Sequence, residues 1–336
     1  MRIGLNPNKD SVIECSKYIH QVVIPVYIPN QEGYFKDSLR ILKLCVESLL
    51  ITIHNKTFIT IVNNGSCQGV KQYLESLFNT EKIQELVHSE NIGKLNSIIK
   101  GLVGNDIELV TISDADVLFL PYWQQETAKV FNNVPNAGVV GIVPQLKMYE
   151  ANCGNVIIDN VFSKRLKFIP VKNPKALKQF YKSIGWDSNY NKDYLAYNLG
   201  LKINPNLSVL IGSGHFVATY KKDIFSAITS FLGHKLGGTS EAYLDKAPLI
   251  KGYWRLTTLD NYAYHMGNTL EDWMKEIPMS KNVKKEVIAN FRINKKVNNF
   301  EYFFKNRLFV KLFSIGFLNR FFLKWKGLPK TMVKRY

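Results

Sequence analysis

This chain lacks the glycine-rich loops that usually cradle a phosphate. No GxGxxG follows its first strand-like run, and no GxxxxGK[ST] occurs in its 336 residues. The dinucleotide and P-loop fingerprints are therefore absent. Cysteine is scarce: Cys15, Cys45, Cys67 and Cys153 are scattered without CxxC or finger spacing. That pattern excludes a disulfide framework and predicts free thiols in a reducing compartment. The opening MRIGLNPNKDSVIEC has no apolar core of a signal peptide, and no run is long enough to span a bilayer as a helix. A cytoplasmic protein is the expectation. Acidic residues are nearly missing from one region. Residues 281–336 hold 15 Lys and Arg against Glu286 and Glu301, so +13 of the formal +17 lies there. The remaining 280 residues carry only +4, and the basicity is a property of the tail.

What is present is an alternation of strands and helices. Apolar runs at Val22–Tyr27, Thr57–Val62, Ile83–His88 and Leu109–Ser113 read as strands. Between them Ser38–Ile53, Val70–Phe78 and Leu95–Leu102 carry apolar residues at helical spacing. Pro25 belongs at the end of its strand, because proline removes a ladder donor. Such alternation predicts βαβ units and a mainly parallel sheet with right-handed crossovers. Tyr122–Phe131 reads as a further helix and Gly138–Val143 as a further strand, while Gln145–Leu207 is the least periodic part.

The organising stretch is Leu109–Asp116, LVTISDAD, an apolar run that ends in Asp114 and Asp116. In an open α/β sheet, ligands bind outside the carboxyl ends of the strands. Two acids there suit a hard divalent cation that shares its oxygens with substrate phosphates. Taken alone, the pair reads first as a turn, since Asp is a common strand terminator. The rest of the chain shifts that reading.

Four landmarks occur in order: the strand Val22–Tyr27, the turn Asn63-Asn64-Gly65-Ser66, the N-x-G loop Asn91–Gly93, and the strand ending in D-x-D. As an ordered set they resemble the nucleotide-sugar glycosyltransferases of GT-A fold, in particular the inverting family 2. The likeness resumes at Gly212–Phe225, GSGHFVATYKKDIF, and at Tyr264-His265-Met266-Gly267, which is similar to a late H-x-G element. The resemblance implies a Rossmann-like α/β domain over residues 1–280, with a nucleotide-sugar half at 1–120 and an acceptor half at 121–280. It implies Asp116 and His265 as metal ligands, with Asp114 sharing the metal or facing the ribose. An imidazole among oxygens favours Mn²⁺, with Mg²⁺ as the other candidate. Pro25 and Tyr27 are expected to flank the nucleobase and Asn63 or Asn64 to meet its edge, where the family usually has aspartate. Lys94 is expected either at a phosphate or as a solvated surface lysine. Counting back from Gly252-Tyr253 puts Glu241 at the family's catalytic base, with Asp245 as the competitor. Glu241 reads equally as an acid favoured at a helix start.

The tail is dense in Phe and Leu from Phe300 to Trp325, with Lys305, Arg307, Lys311, Arg320 and Lys324 interleaved. Its charges do not fall on one clean face of a single helix, so two short helices are expected. Aromatic-plus-basic composition reads as an interfacial segment drawn to anionic lipid. A helical cap on the catalytic domain, an oligomer contact and nucleic-acid binding are the alternatives, with nucleic acid the least expected. The overall expectation is a metal-dependent inverting glycosyltransferase, peripheral at the inner face of a cell membrane. Its donor is a nucleotide-diphosphate sugar, a UDP-sugar first, and its acceptor a glycan or lipid-linked oligosaccharide. Two rivals stand: a nucleotidyltransferase, against which the loop IPNQEGYF counts, and a non-catalytic binding protein on a decayed GT-A fold.

Overall fold

The computed structural model describes residues 15–227, 242–276 and 297–336, with residues 4, 8, 9, 11, 12 and 233 besides. Its first half follows the sequence pattern closely. Strand β1 (His20–Val26), helix α1 (Ser38–Thr52), β2 (Thr57–Asn64), α2 (Gln68–Asn79), β3 (Glu85–Ser89), α3 (Lys94–Leu102) and β4 (Leu109–Ser113) alternate as predicted. These four strands run parallel in the order β3-β2-β1-β4. Parallel strands covered on both faces need continuous apolar runs, and Val22, Val23, Ile24, Ile59, Ile61, Val110 and Ile112 are all buried.

Beyond β4 the pattern changes. A short strand β5 (Val117–Phe119), helix α4 (Trp123–Asn133) and β6 (Ala137–Gly141) are followed by α5 (Gly154–Asn160), β7 (Leu166–Pro170), α6 (Pro174–Ser183), β8 (Tyr197–Asn204) and β9 (Leu207–Ile211). Then come β10 (Val217–Lys221), α7 (Ala242–Ile250), β11 (Trp254–Thr258), β12 (Ala263–His265) and α8 (Trp273–Glu276). The main sheet has ten strands, order β3-β2-β1-β4-β10-β6-β11-β9-β8-β7. It is mixed, which corrects the expectation of a mainly parallel sheet. β10 is antiparallel to both β4 and β6, and β7, β8 and β9 form an antiparallel meander at the far edge. That meander lies in the segment with least periodicity. Its strands are only partly covered, and α6 is a ten-residue helix opened by Asn173, whose side chain accepts the Ala176 N–H. β5 and β12 pair separately, with His265 opposite Val117. This small ribbon carries the H-x-G element to the end of β4.

Among the described residues of the tail, two helical stretches are separated by a short break, as its charge pattern predicted, and a third, short helix follows. Residues 299–313 are helical throughout as α9 (Asn299–Phe303), a π-helical Phe304–Leu308 and α10 (Phe309–Phe313). After Ser314 and Ile315 come α11 (Gly316–Trp325) and the short α12 (Lys330–Val333). Phe322, Leu323 and Leu328 are buried in the same cluster as Ile157, Phe168, Leu199 and Leu256. Lys326 donates to the Val161 carbonyl, and its own carbonyl accepts the Phe168 N–H.

The tail is seated closely at Gly154, the first residue of α5. A Cβ there would collide with the backbone carbonyl of Lys305 and press on Val310. Overpacking against backbone costs about 1–3 kcal/mol. Gly154→Ala is therefore expected to lower the melting temperature by several degrees and to make the tail the first part cut by trypsin. Thermal melts and limited proteolysis of the variant check this.

Candidate donor and metal site

At the carboxyl ends of β1, β2 and β4 a cavity of about 520 Å³ opens. Pro25, Val26, Tyr27, Ile28, Tyr34 and Phe35 form one wall, and Asn64, Asn91, Lys94, Asp114 and Asp116 the other. Of the residues named from sequence, Pro25, Tyr27, Asn64, Lys94, Asp114 and Asp116 therefore share one cavity. Tyr27 is half-exposed and meets Phe35 edge-on at 6.2 Å. Pro25 and Tyr27 thus both line the cavity, with Phe35 beside Tyr27.

The two asparagines are less free than expected. The Asn64 side chain accepts the Ile92 N–H and donates to the Asn91 carbonyl oxygen, Oδ1. Asn63 is buried, accepts the Ser66 N–H and pairs with His88 Nδ1 at 2.9 Å. Asn63 is not among the lining residues of the cavity. Both amides hold the turn and the N-x-G loop, and the hydrogen bonds they make leave little for a base edge. His88 was missed from sequence. Its place beside Asn63 follows only from the β2–β3 register.

Lys94 is not a solvated lysine. It stands at the first position of α3 and its ammonium lies 2.6 Å from Asp114 Oδ1, with only 17% of its side chain exposed. Asp114 is thus held by a cation of the protein, which argues against its serving as a principal metal ligand.

Asp116 is placed differently. Its Oδ1 is buried without a hydrogen-bond partner, and its Oδ2 lies 3.3 Å from His265 Nε2. The β5–β12 ribbon makes this contact, since the Met266 N–H donates to the Asp116 carbonyl. The other ring nitrogen of His265, Nδ1, is 2.9 Å from Ser183 Oγ. That hydroxyl gives its one proton to the Phe180 carbonyl at 2.6 Å, so Ser183 accepts from His265 Nδ1–H. In a neutral ring with that tautomer, Nε2 presents a lone pair to a carboxylate. Two acceptors then face each other, and a cation or a proton between them relieves the repulsion. Fixing the far nitrogen of a ligating imidazole is what an outer-shell partner does at metal sites. Gly267, at φ 72°, is required here as well, because a Cβ would meet the Ser183 carbonyl at 2.8 Å. Ser183 comes from α6, far from the motifs, and no sequence signal marked it.

Among the described residues, no group of three or more His, Cys, Asp or Glu is arranged to hold a metal by itself. Asp116 and His265 make a two-residue donor set, and Mg²⁺-type sites commonly complete themselves with substrate phosphates and water. The residues fit a divalent cation on those terms. Glu241 lies outside the described residues. Its competitor Asp245 sits on α7 with its Oδ1 2.5 Å from the buried guanidinium of Arg255 and 3.9 Å from His215 Nδ1. Asp245 is thus committed to an ion pair with a buried guanidinium.

Burial raises the Asp116 carboxyl from its usual 3.8 to about 6. His265 pulls it back down, the Asp114 charge adds to the rise, and Lys94 lowers it again. A folded-state value above the unfolded one means that stability falls as pH rises from about 4 to about 6 and stays lower above that. Asp116→Asn removes this cost. It is expected to stabilise the metal-free protein by on the order of 1 kcal/mol at pH 7.5, roughly 2 °C in melting temperature, and to give no gain at pH 4. Melting curves at the two pH values check it.

Residues 22–184 match the family model for glycosyl transferase family 2. No curated protein sequence matches the chain. Among solved structures, the chain is similar to S. aureus TarS 1–349 in complex with UDP-GlcNAc, at 13% identity over 77% of this chain and 61% of that one, TM-score 0.44. It is also similar to the mannosyltransferase PcManGT from Pyrobaculum calidifontis in complex with GDP-Man and Mn²⁺, at 15% identity over 94% and 76%, TM-score 0.46. The chain spans about 60% of the length of the TarS structures it matches. The matched segment contains β1, the asparagine turn, the N-x-G loop and the D-x-D strand end. Residues 22–184, just under half of the chain, are thus similar to glycosyl transferase family 2.

Proposed function

We propose that this protein transfers a sugar from a nucleotide-diphosphate donor to an acceptor hydroxyl with inversion. A divalent cation, Mn²⁺ or Mg²⁺, is held by Asp116 and His265 and completed by the donor's own oxygens. The observation that carries the reading is the contact of Asp116 Oδ2 with His265 Nε2 at 3.3 Å, beside a cavity that runs from Asp116 to Pro25 and Tyr27. When bound, the cation neutralises charge on the departing diphosphate. Lys94 adds a second positive charge on the same side, and Asp114 orients it. Pro25 and Tyr27 hold the base between apolar surfaces, with the asparagine turn shaping the slot's end. Glu241 is the proposed general base on family spacing, and the clamp of Arg255 on Asp245 supports that choice over its neighbour. A base must reach the acceptor hydroxyl, and a carboxylate does this when burial raises its proton affinity.

The acceptor is a glycan or a lipid-linked oligosaccharide, and the enzyme works in the cytoplasm at the inner face of a membrane. The basic aromatic tail supports the membrane setting. The domain division carried by this reading is a catalytic body over residues 1–280 and a tail over 281–336.

Calorimetric titration of UDP and of GDP into the purified protein, with Mn²⁺ and then with EDTA, tests the proposal. Metal-dependent binding is expected, with a loss of at least roughly tenfold in Asp116→Ala. Lys94→Met is expected to weaken binding with or without the metal. Folded protein that binds no nucleoside diphosphate would overturn the enzyme reading in favour of a scaffold on this fold. Equal binding in EDTA would remove the metal while keeping the nucleotide site.

A further inference from the structure

The tail has two apolar faces, and the protein covers only one of them. Phe322 and Leu323 of α11 point into the body, with Phe309 and Phe313 of the preceding helix packed beside them. On the other side of α11, Phe317, Phe321 and Trp325 recur at every fourth residue, which places them in one stripe. All three are exposed, Phe317 by 71%. Arg320 and Lys324 flank that stripe one residue before Phe321 and Trp325, and both are exposed. The preceding helix repeats the arrangement. Phe300, Phe304, Leu308 and Leu312 are exposed along one side, and Arg307 and Lys311 are exposed among them.

The body contributes to the same surface. Phe162, in the turn after α5, is 88% exposed and meets Trp325 edge-on at 6.0 Å, and Phe321 lies 6.2 Å from Trp325 on its other side. Trp325, in turn, lies under the ammonium of Lys326 at 4.2 Å, a cation that also donates to the Val161 carbonyl. The aromatic surface is thus anchored to the domain and is not carried on a free arm. After Glu301 the chain has no Asp or Glu at all.

We propose that this surface is a preformed platform for an anionic lipid bilayer, formed by the outer faces of the two tail helices together with Phe162. It rests on the membrane setting of the proposed function and deepens it by naming the contact residues and the lipid class. Apolar side chains ringed by cations match an interface in which anionic headgroups lie above acyl chains, since aromatics enter the boundary while Lys and Arg stay at the headgroups. A nucleic-acid duplex would satisfy the cations but leave the aromatic stripe in water, and a single strand stacking on it would leave unused the match of an apolar stripe to acyl chains. A second copy of the chain would bring the same unbalanced positive charge against itself. The platform is seated on the domain that holds the donor cavity, so docking fixes the orientation of that domain at the membrane.

The test is co-sedimentation of the full chain with vesicles of phosphatidylcholine alone and of phosphatidylcholine with phosphatidylglycerol, at low and high salt. Binding is expected to the anionic vesicles and to weaken with salt. Phe317→Asp with Phe321→Asp is expected to reduce it at least tenfold, and Arg320→Glu with Lys324→Glu to remove its salt dependence. Phe162→Ser, outside the tail, is expected to weaken it several-fold. Melting curves and nucleotide calorimetry on each variant keep a folding failure, or a failure of the donor reading, separate from a failure of the platform. The proposal is overturned if folded protein ignores anionic vesicles, binds both vesicle types equally, or is unaffected by the aromatic variants. It is also overturned if those variants instead abolish binding to RNA or self-association measured by ultracentrifugation.

Discussion

The site turns on one unfavourable contact. Asp116 is carried to the end of β4 and then folded under the β5–β12 ribbon, where burial penalises its charge. The nearest side chain is His265, whose Nε2 faces the carboxylate at 3.3 Å while Ser183 holds its Nδ1. A chain selected for stability alone would put an amide or a hydroxyl at one of these positions. On the proposed reading, a cation taken up beside Asp116 would offset the cost of burying its charge. Perturbed carboxylates in a cleft are functional-site candidates for this reason.

Lys94 shows how the same cavity keeps its two acids apart in role. Asp114 and Asp116 are only two residues apart, and equal environments would make them compete for the same proton or ion. The ammonium at 2.6 Å pins Asp114 to the N-terminus of α3, and Asp116 is left to His265. One D-x-D pair therefore serves two tasks: one carboxylate positions a lysine, the other offers a free oxygen. The asparagine turn follows a similar logic. Where acids would carry charge into a buried turn, Asn63 and Asn64 bind backbone N–H groups on one side and other side chains on the other. The cost of a smaller choice for base recognition is balanced by a turn that holds without a ligand.

The parallel half of the sheet was legible because its signals are local. Buried parallel strands need apolar runs, the helices between them show their spacing, and Asp114, Asp116 and Lys94 lie at the ends of those elements. His265 was legible only through the H-x-G resemblance. Nothing local could indicate Ser183, which sits 82 residues before His265 at the end of a helix in the least periodic segment. The β7–β8–β9 meander was hidden for a related reason. Its strands are short and covered on one side or in part, so they lack the uninterrupted apolar runs that mark the parallel half. The clamp on Asp245 was hidden because Arg255 reads in sequence as one basic residue in a strand, and only the fold buries it against α7.

The tail's composition was plain in the sequence, but its division of labour was not. Phe and Leu at such density could not be sorted into inward and outward sets until the sheet edge was in place. Phe322, Leu323 and Leu328 close the cluster under β7 and β8, and the collision that a side chain at Gly154 would make shows how tightly the first tail helix sits. A helix whose apolar residues served the domain alone would place polar groups on its outer side. Here Phe317, Phe321 and Trp325 occupy that side with Arg320 and Lys324 between them, and no acid follows Glu301 to soften the charge. Packing accounts for the inner face; the outer face needs a second apolar environment that is also negative. On the proposed reading, the rigidity of the inner contact would matter for catalysis, because a body held by a fixed platform presents its cavity to the surface at one angle, whereas a body on a loose arm would sample many.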